Sequence, residues 1–193
     1  MENRKEYKFV FNSFELINFY SFLKSREFVL HEDRKISSVY FDTFDFDLYK
    51  NSKTVDTEKL KVRLRQYNNQ GNIYLEKKFN NSNGKYKEAK ITNYKHLSKV
   101  SCLEENGYYL KPSLKINYHR SYLKLENIRI TIDINIQYNS VSSRTLSNIT
   151  YNPNFKVVEY KLLNNDPDIE KYFYKNPVSF SKYNFGVEKI YKI

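Results

Sequence analysis

Charged side chains recur at alternate positions along six stretches of the chain, with apolar or aromatic residues between them. These are Arg4, Glu6 and Lys8; Lys61, Arg63 and Arg65; Glu76 and Lys78; Tyr118 and Arg120; Arg129, Thr131 and Asp133; and Glu159 and Lys161. Guanidinium and ammonium groups in such series can neutralise a polyanion, Arg by paired hydrogen bonds to phosphate and Lys as a movable point charge. The few carboxylates among them suit a hard divalent cation of the kind that accompanies phosphate. If these faces converge, they form a site for a polyanion and its metal. Other machineries are absent from the sequence. The four glycines, Gly71, Gly84, Gly107 and Gly186, form no phosphate-cradling loop, and His31, His96 and His119 fit no zinc spacing or catalytic triad.

A period of two requires β-strands, because successive side chains on a strand point to opposite faces. In the densest stretch, Lys59 to Tyr67, the cations Lys61, Arg63 and Arg65 share one face, and Leu60, Val62 and Leu64 the other. The pattern predicts strands at about 4–11, 36–41, 58–68, 72–80, 84–91, 113–124, 127–138 and 155–162. Asn- and Gly-rich joins at 68–71 and 80–84 read as hairpin turns, since these residues tolerate positive φ. A helix capped by Ser13 is expected from Phe14 to about Arg26, with Phe14, Leu16, Ile17, Tyr20 and Leu23 as its apolar stripe. Shorter helices are expected after Asp42-Thr43, near 94–103 and from Pro167 to about Lys175, with a last short element near 186–191. Residues 140–153 read as a polar loop. The resulting fold class is α+β: an antiparallel, about eight-stranded closed β-barrel with flanking helices, its edges removed by closure. Leu60, Val62, Leu64, Ile128, Ile130, Ile132 and Ile134 would then lie outward beneath helices, leaving the inner face free to be polar.

At 193 residues the chain reads as a single domain, 1–193, able to bury a full core. Its net charge of +11 attracts phosphate, nucleic acid or acidic lipid without choosing among them. Lys, Asn, Ile, Tyr and Phe are abundant together, as codon bias in an A- and T-rich genome also produces, so position carries more weight than composition. The lone Cys102 excludes an internal disulfide and a cysteine zinc cluster. With no leader-like segment and no apolar run of about 18 residues, a soluble cytoplasmic protein is expected, with room for membrane association through a partner.

The alternating series also resembles a known family. Arg4-x-Glu6-x-Lys8-Phe9, Ser38-Val39-Tyr40-Phe41-Asp42-Thr43, Lys61-x-Arg63-x-Arg65-x-Tyr67 and Leu75-Glu76-x-Lys78 resemble the first half of the VTC domain. Tyr118-x-Arg120, Arg129-x-Thr131-x-Asp133, Val158-Glu159-x-Lys161 and Ser181-Lys182-Tyr183 resemble its second half, in order. The resemblance implies the triphosphate tunnel metalloenzyme fold of the CYTH-like superfamily. It further implies an ATP-dependent polyphosphate polymerase, which passes the γ-phosphoryl group of ATP to a polyphosphate chain with Mn or Mg as cofactor. Carried over residue by residue, it implies Lys8, Arg63, Arg65, Lys78, Arg120, Arg129 and Lys182 as phosphate-contacting groups. Lys61, Lys87 and Lys161 are further candidates on the same faces, Tyr118 is a candidate phosphate hydrogen-bonding group, and Tyr40 and Asp42 are architectural. Glu159 is the implied metal carboxylate, with Glu76 and Glu6 as its partners. ATP and polyphosphate are the implied partners, together with a membrane protein; nucleic acid is not expected.

Two other functions stay open. A triphosphatase of the same fold would use water as the acceptor, but such enzymes usually begin Glu-x-Glu-x-Lys where this chain has Arg4-x-Glu6-x-Lys8. A catalytically silent barrel could grip a polyanion, with its tyrosines stacking bases. The carboxylates Glu6, Glu76 and Glu159 weigh against that, since a pure polyanion groove gains nothing from inward acids. For any one strand, a charged face can equally be an ordinary solvated one.

Overall fold

The structure is a computed structural model and describes residues 5–55, 57–81, 84–141, 144–145, 148–162 and 169–193. Arg4 and the expected helix start at Pro167 lie outside the described residues. In chain order the elements are β1 (Glu6–Phe11), α1 (Ser13–Ser25), β2 (Val29–Asp42), α2 (Asp47–Lys53), β3 (Lys59–Tyr67), β4 (Gln70–Asn81) and β5 (Gly84–Ile91). Then follow β6 (Leu103–Glu105), β7 (Tyr108–Leu125), β8 (Ile128–Asn139), β9 (Thr150–Tyr151), β10 (Lys156–Leu162) and α3 (Lys182–Tyr191). Single 3-10 turns occupy Leu97–Lys99 and Ile169–Tyr172, where full helices were expected.

The main hydrogen-bonded path runs β1-β10-β8-β7-β2-β3-β4-β5, with β6 added to β7 and β9 to β8. Among the described residues no pairing joins β5 back to β1. Among the described residues the expected closed barrel is therefore corrected to a curled, open eight-stranded half-barrel with three flanking helices. Closure is not the device that protects these edges. Every residue of β5 is exposed, and Lys85, Lys87, Glu88 and Lys90 line it. Charges, lysine above all, deter an edge strand from pairing with another chain.

Two compact units make up the chain. The first comprises Met1–Arg34, Tyr118–Ile136 and Asn152–Phe180; the second comprises Lys35–Asn117, Gln137–Tyr151 and Ser181–Ile193. In the first, β1, β10 and β8 turn Phe9, Phe11, Val158, Tyr160, Ile128, Ile130 and Ile132 toward Leu16, Phe19 and Leu23 of α1. Asn12 caps α1, one residue earlier than the expected Ser13: its Oδ1 accepts from the Glu15 amide at 2.8 Å, and Glu15 Oε2 accepts from the Asn12 amide at 2.8 Å. That reciprocal capping box fixes the helix register. The expected stripe is corrected accordingly, since Phe14 and Ile17 are 73% and 65% exposed and Phe19 takes the central core position.

In the second unit, Val39, Phe41, Leu60, Val62, Leu64, Ile73 and Leu75 form one apolar face, joined by Leu48, Leu97, Leu103 and Leu110. The β3–β4 hairpin turns through Asn68 and Asn69, both at positive φ, and the β6–β7 hairpin through Asn106 and Gly107. Helix α3 starts at Lys182, earlier than expected, because Ser181 Oγ accepts from the Asn184 amide at 3.3 Å and caps it. It lies close on the sheet: a Cβ at Gly186 would stand 2.4 Å from the Tyr138 ring and 2.5 Å from Leu114. Among the described residues no helix is long and apolar enough to cross a membrane.

Candidate functional site

Opposite its apolar face, the second unit carries the densest ionic cluster. Cross-strand register places Tyr40, Arg63, Glu76 and Ala89 in one row over β2, β3, β4 and β5, with Ser38, Arg65 and Tyr74 in the next. A third row sets Lys61 opposite Lys78 and Lys78 opposite Lys87. Glu76, 3% exposed, is the hub. Its Oε2 accepts from Arg63 Nε at 2.7 Å and lies 3.5 Å from Arg65 Nη1, while Lys87 Nζ reaches Oε1. Burial pushes the Glu76 carboxyl up, but Arg63, Arg65 and Lys87 outweigh it and hold the group well below the usual carboxylate range.

Arg63 also donates from Nη1 to the Tyr40 hydroxyl at 2.6 Å, and Arg65 Nε donates to Ser38 Oγ at 3.1 Å. Burial raises the Tyr40 phenol; the charges of Arg63, Arg65 and Lys182 and the Arg63 hydrogen bond bring it down to about 8. The α3 N-terminus completes this face. Lys61 Nζ donates to Ser181 Oγ at 3.0 Å, and Lys182 is the first helical residue. Lys61, Arg63, Arg65, Glu76, Lys78, Lys87 and Lys182 thus belong to one face of one unit.

The first unit gathers the remaining candidates. Register sets Lys8, Glu159 and Thr131 in one row over β1, β10 and β8, and Glu6, Lys161 and Arg129 in the next. Lys161 Nζ lies 2.6 Å from Glu6 Oε1 and 3.0 Å from Glu159 Oε1. Lys8 Nζ donates to the Phe180 carbonyl at 2.9 Å. Arg120 grips Asp133 in bidentate fashion, Nε to Oδ1 at 2.6 Å and Nη2 to Oδ2 at 2.8 Å, and its guanidinium lies 5.3 Å from the Tyr118 ring centre. Despite burial, Asp133, Tyr118 and Glu159 hold the Arg120 guanidinium well above its ordinary range. Arg129 is exposed.

The part expected of Tyr40 is architectural, yet its hydroxyl sits inside the cationic cluster. Nothing in the sequence marks Tyr183 as the partner of Asp42. A pointer to Tyr40 was present in the strand Ser38-Val39-Tyr40-Phe41, whose alternation puts Ser38 and Tyr40 on one face. That the face belonged beside Arg63 depended on strand order, which periodicity does not supply.

A family model of the VTC domain matches residues 3–106 and 93–191, nearly the whole chain. The chain belongs to the VTC domain family. No curated protein matches it in sequence. Among solved structures, this VTC domain is similar in fold to the PH1819 protein of Pyrococcus horikoshii OT3, at 16% identity and a TM-score of 0.61, with 97% of this chain and 98% of that one covered. The PH1012 protein of the same organism aligns over 98% of this chain and 90% of its own, at 13% identity and a TM-score of 0.55. HpAC1 from Hippeastrum aligns over 95% of each chain at 10% identity and a TM-score of 0.55. The VTC domain therefore shares its fold with these three proteins.

Proposed function

We propose that this VTC domain binds a triphosphate, free or as the tail of a nucleotide, and catalyses attack on its terminal phosphorus with water as the acceptor. The observation that carries the reading is the Lys61–Lys78–Lys87 row beside Arg63 and Arg65. Like charges set directly opposite one another on a sheet are destabilising. A bound polyphosphate anion offsets that repulsion and gains charge-assisted hydrogen bonds from the arginines. During displacement, negative charge accumulates on the leaving oxygen, and fixed cations stabilise it without reorganising. Glu76 acts here by orienting Arg63, since three cations already claim its carboxylate. HpAC1, which shares this fold, has a dominant triphosphatase activity, a precedent for water as the acceptor.

The carboxylates Glu6 and Glu159 are the pair suited to a metal. Both already converge on one cation, the Lys161 ammonium, and oxygen donors of this kind fit Mg or Mn in its place. A metal held there would supply positive charge to an anion on this face of the first unit. Among the described residues no group of three or more His, Cys, Asp or Glu could hold an ion, so this pair alone would be the protein's share of the ligands.

A second reading, transfer of the γ-phosphoryl of ATP to a polyphosphate chain, is favoured by the VTC family match and by Arg4 in place of the acid usual in triphosphatases. Incubation with ATP or tripolyphosphate and Mn or Mg separates the readings. Orthophosphate release alone is expected from the hydrolase. A ladder of long chains on a gel would move the assignment to the polymerase, and binding without turnover would remove both.

A further inference from the structure

Ser181 and Lys182 stand at the start of α3, and the next residue, Tyr183, packs that first turn against Tyr40 of β2. Its ring stacks on Tyr40, with centroids 4.9 Å apart and planes at 15°. Tyr40 in turn accepts from Arg63. The Tyr183 hydroxyl donates to Asp42 Oδ2 and lies 3.3 Å from Ser113 Oγ. Asp42 is fully buried and also accepts from the Leu48 and Tyr49 amides, at 2.9 and 3.0 Å, so one carboxylate ties down both α2 and α3. A second seam fixes the same pair of helices: Asn184 Nδ2 donates to Ser52 Oγ at 2.7 Å, and Lys53 meets Glu188 at 2.7 Å. Burial, with Asp42 beside it, holds the Tyr183 phenol far above its ordinary value, so it remains a donor across the working range of pH.

We propose that Tyr183 is a positioning residue that sets Ser181 and Lys182 beside Lys61 and Arg63, so that helix and strand present their cations to one phosphate. This rests on the reading of the face as a triphosphate site. The stack fixes how far the turn lies from the sheet, and the Asp42 bond fixes its rotation. A tyrosine that merely filled space would need the ring alone.

Two substitutions separate these roles. Tyr183→Phe keeps the ring and deletes the hydroxyl; Tyr183→Leu deletes both, and if it fails to fold the Phe variant still decides the matter. Amide hydrogen exchange at Phe185, which donates to the Ser181 carbonyl at 3.0 Å, reports the first turn without any substrate. Tyr183→Phe is expected to speed that exchange about tenfold, while Lys192, which donates to the Glu188 carbonyl at the far end of α3, keeps its protection. For tripolyphosphate, KM should rise about tenfold with a smaller change in kcat, equivalent to about 1.4 kcal/mol of lost binding. Adding Lys182→Ala to Tyr183→Phe should cost less than Lys182→Ala alone, because the lysine is already misplaced. Unchanged Phe185 exchange, or full additivity of the two substitutions, would reduce Tyr183 to packing. If the wild-type chain neither binds nor turns over tripolyphosphate, the functional reading fails, while the exchange measurement still decides whether Tyr183 positions the turn.

Discussion

Tyr40 sits where two opposing fields meet, and its titration reads their balance. Arg63 and Arg65 favour the phenolate, while burial opposes it, and the phenol rests at about 8. Burial pushes Tyr160, Tyr183 and Tyr191 upward instead, the last to about 12, so ultraviolet absorbance can pick out an early phenolate. Because the folded form ionises before the unfolded chain, whose phenol stays near 10, this group adds stability as pH rises from about 8 to 10. Arg63→Gln should move the midpoint up. Glu76→Gln should move it down, since the cations then act on Tyr40 unopposed; shifts in the same direction would refute this account of the cluster. The same Glu76→Gln leaves Arg63 and Arg65 without their shared counter-charge, a loss of about 3–5 kcal/mol in thermal or denaturant unfolding. Glu76 has a depressed folded value, so its contribution is complete above the ordinary glutamate value near 4.5 and is lost as acid carries the pH below it.

At the scale of elements, alternation was legible wherever one face of a strand is apolar and the other charged. Leu60, Val62 and Leu64 against Lys61, Arg63 and Arg65 is the clearest case, and all three apolar residues are buried. Of β2 the pattern predicts only 36–41, because Val29–Lys35 is largely exposed and carries no strong alternation. The predicted span of α1 agrees with the structure but its predicted apolar stripe is rotated, because Phe14 and Ile17 look as apolar as Phe19 in sequence. Only the Asn12–Glu15 cap and the sheet decide which face turns inward. Phe19→Ala should therefore cost about 3–5 kcal/mol of stability and Phe14→Ser no more than about 0.5 in the same unfolding assay; equal losses would refute the register. Sequence also gave no sign of how closely α3 lies on its sheet. Gly186→Ala would drive a methyl group into Tyr138 and Leu114, so α3 must shift, at a cost of about 1–3 kcal/mol. A Gly186→Ala variant as stable as wild type would mean that the helix rides higher than the structure places it.

For the whole molecule, the net charge of +11 bears on how the proposed triphosphate substrate would arrive as well as on how it would be held. Exposed charges steer a polyanion over about 10 Å at 0.1 M salt but only about 3 Å at 1 M. Contacts made within the Arg63–Arg65–Glu76 cluster are screened less, since those groups are buried or nearly so. The two contributions separate in one experiment, a salt series of tripolyphosphate turnover. Raising the salt should lower kcat/KM steeply while kcat changes little, because steering and loose binding weaken and the buried cations do not. In a Lys61→Ala, Lys78→Ala double variant the slope of log kcat/KM against log salt should flatten, since two of the steering charges are gone. A slope unaltered by that loss would mean that the general field of the chain attracts the substrate and that the Lys61–Lys78–Lys87 row has another purpose.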